Sequence, residues 1–141
     1  MSRGDYIRFV VAFLLLYVAL RFTMGYLLRS PTAYIVSLLS GCEYGGETVV
    51  CGYEEYRIVP ECTGIVSISL LLALLFVLPL SSERKIRAAV LGSIFLYILN
   101  VLRVYALIEL TQSIFAFDLV HAFFWLTSPV LVILYVLWLL K

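Results

Sequence analysis

The chain has 141 residues, of which 64% are hydrophobic and 13% are charged, and its formal net charge is +1. Its mean hydropathy is +1.08. This composition is far more apolar than that of a soluble globular domain, so it argues against a soluble protein and indicates an integral membrane protein.

Four apolar runs predict four transmembrane helices, because a helix needs about 20 residues to cross the hydrocarbon core of a bilayer. The runs cover residues 7–28, 62–80, 86–110 and 119–140. The first run is longer than the apolar region of a signal peptide and shows no small-residue cleavage pattern, so we interpret it as a retained helix. The expected fold is an all-α membrane protein, a single four-helix domain with one large loop over residues 29–61.

The distribution of basic residues predicts the orientation of this bundle, since Lys and Arg are enriched in cytoplasmic segments. The basic residues on one side of the predicted bundle are Arg3, Arg8, Arg84, Lys85, Arg87 and Lys141. The loop over residues 29–61 is predominantly acidic. We therefore expect both termini in the cytoplasm and the loop outside the cell membrane.

The loop itself contains signals for two small elements. Ser30 and Pro31 suit the start of a helix, and Gly41 suits its end, so a short helix over residues 32–40 is expected at the outer membrane interface. Residues 42–59 combine glycines with β-favouring residues and predict a small extracytoplasmic hairpin.

The three cysteines divide into an expected pair and a single thiol. The outer side of a membrane is oxidising, and an odd count leaves one thiol over. Cys42 and Cys51 are the natural pair, and their disulfide would stabilise the hairpin by about 2–3 kcal/mol. Cys62 follows Pro60 at the start of an apolar run, where unpaired N–H groups and the helix dipole favour a thiolate.

Arg103 and His121 are predicted to lie at about the same depth as Cys62, near the outer ends of three different helices. A thiolate, an imidazole and a guanidinium together suit acyl transfer, because they supply a nucleophile, a proton carrier and a partner for the developing oxyanion. Each residue also has a simpler interpretation: a buried apolar thiol, an interfacial histidine, and an arginine paired with Glu109.

Neighbouring residues are candidates for supporting roles. Asn100 lies three residues before Arg103, on the same helical face. Asp118 either caps the helix of His121 or orients its ring, and capping is the favoured role. Small neighbours of the thiol would admit an extended substrate, and these are Thr63 and Gly64.

Arg21 lies in the outer third of the first helix, where a cation is costly. It either snorkels to the outer headgroups or faces the bundle and contacts substrate or the loop.

These motifs resemble those of the exosortase and archaeosortase family of membrane cysteine transpeptidases, in a compact archaeal form. The matching segments are Glu61–Gly64 (ECTG), Asn100–Arg103 (NVLR) and His121. The resemblance implies that Cys62, Arg103 and His121 form a catalytic triad. It also implies a substrate, the C-terminal signal of exported proteins, which consists of a short motif, a hydrophobic helix and a basic tail. The enzyme would cleave at the motif through a thioester and transfer the new C-terminus to a membrane acceptor, for which a lipid amine is expected.

Two other functions remain open at the level of sequence. A four-helix thiol oxidoreductase would require Cys62 to form a disulfide with Cys42 or Cys51, and a non-enzymatic bundle would bind a partner helix through its Tyr-rich and Phe-rich surface. No Cys-x-x-Cys, His-Glu-x-x-His or glycine-rich phosphate motif occurs, so metal, cofactor and nucleic-acid roles have no support.

Overall fold

The computed structural model of the chain describes residues 3–113 and 117–141. Within those ranges, the side chains that it leaves undescribed are those of Ser113, Phe117, Asp118, Val120, His121 and Phe124.

The described residues form a mostly helical fold with one small sheet. The helices are α1 (Arg3–Leu20), α2 (Arg29–Ser40), α3 (Ile65–Val77), α4 (Ser82–Ser113) and α5 (Phe117–Leu140). A π-helical turn, Arg21–Gly25, extends α1, and a 3-10 turn, Pro60–Thr63, precedes α3.

Two helices in the described part of the chain are long and apolar enough to cross a membrane. They are α1 with its π turn, Arg3–Gly25, and most of α4, Ser82–Gln112. The apolar helices Ile65–Val77 and Trp125–Leu140 are shorter. Within the most apolar 18-residue stretch of each helix, none of the residues of α1 is buried within the protein, whereas 39% of those of α4 are buried.

The boundaries of α3 differ from the predicted run over residues 62–80. Gly64 adopts a left-handed conformation with φ 82°, so the 3-10 turn ends there and α3 begins only at Ile65. Leu78 is extended, as expected for a residue before Pro79, so α3 ends at Val77. By contrast, α4 extends beyond the predicted range of 86–110 at both ends.

The predicted short helix is confirmed as α2, but its start was predicted wrongly. Ser30 is not its N-cap: α2 begins at Arg29 and follows Leu28, which has helical φ and ψ and makes no side-chain cap. Pro31 is tolerated because backbone N–H groups in the first turn of a helix need no intrahelical acceptor. The predicted end of α2 at Gly41 is confirmed, since Gly41 is left-handed with φ 68°.

The predicted hairpin is confirmed and is part of a three-stranded antiparallel sheet. The strands are β1 (Glu43–Tyr44), β2 (Thr48–Cys51) and β3 (Glu54–Arg57), in the order β1-β2-β3. The expected disulfide joins Cys42 to Cys51, so it ties the end of α2 to the end of β2. An ion pair of 2.7 Å between Arg29 and Glu47 connects α2 to the sheet a second time.

Two apolar clusters hold the fold together. One joins α3, α4 and α5 and contains Ile68, Leu71, Leu75, Ala88, Leu96, Val132 and Val136. The other joins α2 and the sheet to the later turns of α4 and contains Ala33, Val36, Val49, Ile58, Val101, Val104 and Ile108. Cys62 packs against this second cluster, so the 3-10 turn is supported by α2, the sheet and α4.

The four apolar helices α1, α3, α4 and α5 alternate in direction, which collects basic residues at one end of the bundle. Arg8 near the start of α1 lines a cavity with Val77 at the end of α3. Arg84 and Arg87 near the start of α4 line another with Lys141 after α5. The sheet and the 3-10 turn lie toward the opposite end, where Tyr56 of β3 reaches Thr111 near the end of α4 with 3.4 Å between their hydroxyl oxygens.

Candidate functional site

The 3-10 turn fixes the backbone around Cys62. Val59 is extended with ψ 162°, and Pro60 then starts the turn with the fixed φ that suits a first helical position. The Cys62 N–H donates to the Val59 carbonyl at 2.9 Å, and the buried Thr63 hydroxyl donates to the Pro60 carbonyl at 2.6 Å. Cys62 is therefore held in a compact, internally bonded turn.

This position corrects the prediction that Cys62 lies in the first turn of a long helix. Gly64 separates Cys62 from α3, and the Cys62 N–H already has a carbonyl partner. The first free N–H groups of α3 follow after the thiol, so the helix-terminus argument for a thiolate does not hold at this residue.

Asn100 of α4 connects the turn to the bundle. Its side-chain nitrogen donates to the carbonyl oxygen of Cys62, and the residue is only 6% exposed. Gly64 makes this approach possible, because a Cβ there would lie 3.2 Å from Asn100 Cβ and 3.4 Å from Asn100 Cγ. The backbone that carries the thiol is thus held in place by three predicted supporting residues, Asn100, Thr63 and Gly64.

Cys62 and Arg103 line the same cavity, which has a volume of about 310 Å³ and lies between the 3-10 turn, α3, α4 and α5. Arg103 donates through Nη1 to the Ser128 hydroxyl of α5 at 3.2 Å. Among the side chains that the structure describes, no carboxylate pairs with Arg103, so the alternative pairing with Glu109 is not observed. The guanidinium therefore bridges α4 and α5 at the wall of the thiol cavity.

A second cavity, also of about 310 Å³, lies against the same arginine. The two cavities share Ser67, Asn100, Arg103 and Ser128, and the second is otherwise lined mainly by leucines of α4 and α5. Arg103 thus stands between a cavity that contains the thiol and a more apolar one.

Burial dominates the protonation of Cys62, which lies in the 3-10 turn outside the long helices. Burial raises the pKa of the thiol above its ordinary value, while the backbone bond to Val59 and the charge of Arg103 act to lower it. Because burial is the larger effect, the resting residue favours the thiol over the thiolate. The predicted low pKa is therefore wrong for the resting protein, and a nearby base is needed to activate the sulfur.

A cluster of polar side chains from α1 also reaches this turn. Arg21 Nε donates to Glu61 Oε1 at 2.6 Å, and the Tyr17 hydroxyl donates to the same oxygen at 3.1 Å. Of the two alternatives for Arg21, the structure supports contact with the loop. Partial burial acts to raise the pKa of the Glu61 carboxyl, but the hydrogen bond from Arg21 and other hydrogen bonds lower it overall.

The π turn of α1 brings this arginine and the protein backbone close to the thiol turn. Gly25, the last residue of the π turn, is buried, and a Cβ there would lie 3.0 Å from Pro60 Cβ. Glycine at position 25 thus lets α1 pack more closely against Pro60, the first residue of the 3-10 turn, than a larger residue at that position would. The close approach of Gly25 to Pro60 was not predicted from the sequence, whereas contact of Arg21 with the loop was one of its two predicted alternatives.

The side chains of His121 and Asp118 lie outside the described part of the structure. The backbone of His121 belongs to the first turns of α5, as predicted. The backbone of Asp118 lies inside α5, after Phe117, so the favoured role of Asp118 as the residue that caps the start of this helix is wrong. Position 121 is four residues before Trp125 and seven before Ser128, which both line the thiol cavity. These three positions share one helical face by periodicity.

The described side chains include no group of three or more His, Cys, Asp or Glu residues that could hold a metal ion. Cys62 is a free thiol, whereas Cys42 and Cys51 are bonded to each other. Comparisons with protein-family models, curated proteins and solved structures found no match to this chain.

Proposed function

We propose that this protein is a membrane-embedded cysteine transpeptidase of the exosortase and archaeosortase type. The observation that carries the proposal is the shared cavity of Cys62 and Arg103, residues from distant parts of the chain. A free thiol and an arginine without a described carboxylate partner provide a nucleophile and an oxyanion partner in one space.

The membrane location is supported by the apolar surface of the helices. Helix α1 with its π turn contains an apolar stretch long enough to cross a membrane, and none of that stretch is buried by the rest of the protein. Helix α3 is short and rises about 20 Å at about 1.5 Å per residue, which is less than the roughly 30 Å of a hydrocarbon core. Cys62 lies in the 3-10 turn before α3, so the proposed orientation would put it at the outer edge of the membrane.

In the proposed reaction, His121 first takes the proton of the Cys62 thiol. The sulfur then attacks the carbonyl carbon of the scissile peptide bond, and Arg103 stabilises the negative charge on the carbonyl oxygen. The C–N bond breaks, and the imidazolium returns its proton to the leaving amine, which leaves a thioester on Cys62. An acceptor amine attacks this thioester, and the proton that it loses restores the thiol through His121.

The raised pKa of Cys62 fits this sequence of steps, because a buried thiol reacts slowly until a base removes its proton. The proposed substrate is the C-terminal signal of an exported protein, whose hydrophobic helix would pack beside the bundle. Its motif would enter the thiol cavity, and its basic tail would stay on the side of the bundle that carries Arg84 and Arg87.

Co-expression with a protein that carries such a signal tests the chemistry. Cys62→Ala is expected to abolish cleavage, whereas Ser93→Ala, a substitution of similar size in α4 away from the thiol cavity, should leave cleavage intact. Unchanged cleavage in Cys62→Ala would refute the proposed nucleophile.

Labelling of engineered cysteines in intact cells tests the topology. Tyr53 is fully exposed at the tip between β2 and β3, and the Glu83 side chain is 82% exposed at the start of α4. A membrane-impermeant maleimide should label Tyr53→Cys in intact cells and Glu83→Cys only after the cells are permeabilised. The reverse pattern would overturn the proposed orientation.

A further inference from the structure

The basic end of the bundle contains a cavity of about 400 Å³ between the start of α4 and the end of α5. Its charged lining residues are Arg84, Arg87 and Lys141, and its aromatic ones are Tyr135 and Trp138. The lining residues, all from the described part of the chain, include no Asp or Glu side chain. The volume is within the range of about 300–1,000 Å³ that is usual for small-ligand sites.

The cations of this cavity are poorly neutralised by the protein. Glu83 pairs with Arg87 at 2.8 Å, but both side chains are more than two-thirds exposed, so water screens this pair. Neither Arg84 nor Lys141 forms an ion pair with a described side chain. The neighbouring Lys85 is engaged elsewhere, because its ammonium donates to the Phe76 carbonyl at 3.2 Å.

The aromatic wall of the cavity is fixed in place by the fold. The Tyr135 hydroxyl donates to the Ala88 carbonyl of α4 at 3.3 Å, and the Tyr135 ring lies 6.2 Å from that of Trp138 in a stacked arrangement. Trp138 is 69% exposed, as is common for a tryptophan at a membrane interface. Leu91 lines the cavity one turn deeper and is also exposed, so the basic mouth continues into an apolar surface.

We infer that this cavity binds the phosphate headgroup of an anionic phospholipid, with one acyl chain along the apolar surface of α4 and α5. Basic pockets between helices on the cytoplasmic side attract anionic lipids, whose charge the cations complement. The inference rests on the proposed membrane location but not on the acyl-transfer chemistry. Phosphate is the recognised group, and the apolar continuation of the cavity favours a lipid over a soluble phosphate compound.

Native mass spectrometry of the full-length protein in a neutral detergent tests this site, with phosphatidylglycerol and phosphatidylcholine as the probes. Phosphatidylglycerol should bind more tightly than phosphatidylcholine. The double variant Arg84→Gln and Lys141→Gln should weaken phosphatidylglycerol binding by about 30-fold, from the usual contribution of two basic residues near an anionic headgroup. The matched control, Arg3→Gln and Arg8→Gln, removes the same charge outside this cavity and should retain binding.

Three results would overturn the inference. One is equal binding of the two lipids, and another is an equal loss of affinity in the cavity variant and in the control. The third is full competition by sn-glycerol 3-phosphate at the concentration of phosphatidylglycerol that saturates the site, which would assign a soluble phosphate compound instead. A charge-retaining variant, Arg84→Lys with Lys141→Arg, should keep the affinity and exclude general misfolding as the cause of a loss. Cys62→Ala should bind the lipid normally, so failure of the proposed chemistry is distinguishable from failure of this site.

Discussion

Substitution of Gly64 by Ala tests how the bundle holds the thiol turn. The residue has φ 82°, a conformation that costs an L-residue about 1–2 kcal/mol. The added Cβ would also lie 3.2 Å from Asn100 Cβ, a contact tighter than side chains normally make. Asn100 is buried and bonded to the Cys62 carbonyl, so it has little room to move. Overpacking of this kind typically adds about 1–3 kcal/mol, which gives a total of about 2–5 kcal/mol.

Gly46→Ala provides the matched control, because Gly46 has φ 84° and a Cβ there would meet nothing within 4 Å. It should therefore lose only the backbone contribution of about 1–2 kcal/mol. The free energies of unfolding can be compared by titrating SDS into a mild detergent. We expect Gly64→Ala to lose at least about 1 kcal/mol more than Gly46→Ala, and also to reduce cleavage of the substrate protein. Equal losses in the two variants would show that the close approach of Gly64 to Asn100 does not constrain the turn.

Four further predictions concern the charges around the thiol. Arg103→Lys keeps the positive charge but lacks the planar fork of the guanidinium, so the rate of cleavage should fall by at least about tenfold. Ser128→Ala should lower the rate of cleavage less. Wild-type activity of Arg103→Lys would exclude a specific role for the guanidinium. Arg21→Glu should reduce cleavage by removing the contact to Glu61, and the double variant Arg21→Glu with Glu61→Arg should recover part of it; a double variant no better than the single one would argue against the ion pair. Alkylation of Cys62 should follow a pH profile with its midpoint above the ordinary pKa of a cysteine, since burial raises that pKa, and Arg103→Gln should move the midpoint higher still. An alkylation midpoint below the ordinary pKa of a cysteine would instead indicate a resting thiolate. Because the folded protein favours the neutral thiol of Cys62, the free energy of unfolding should fall as the pH rises from the ordinary pKa toward the raised one.

The elements that were predictable from the sequence depend on local patterns. Apolar runs located the long helices, Gly41 marked the end of α2, and β-favouring residues between glycines marked the hairpin. The disulfide between Cys42 and Cys51 followed from cysteine count and spacing. Each of these features is encoded within a few neighbouring residues or within one short loop.

The details of the candidate site depend on contacts between residues that are far apart in the sequence, so local patterns could not predict them. The pKa of Cys62 is set mainly by burial, which requires the packing of α2, the sheet and α4. The partner of Arg21 depends on the rotation of α1 relative to the thiol turn, which a helical pattern does not fix. The bond from Asn100 to Cys62 likewise requires the close approach that Gly64 permits.

The π turn at Arg21–Gly25 determines where a change in the length of α1 would alter the site. A π turn accommodates one residue more than an α-helical turn, so deletion of a single residue there would restore a regular helix. The residues before the deletion would keep nearly the same facing relative to Gly25, because a π turn and the α turn that replaces it rotate the chain by about the same angle. A one-residue deletion in the regular helix between Tyr17 and the π turn would instead rotate Tyr17 by about 100°, away from Glu61, since an α-helix has 3.6 residues per turn. Sequence comparisons of related chains should therefore treat a one-residue gap inside the π turn as compatible with the thiol turn, and the same gap just before it as a change to that site.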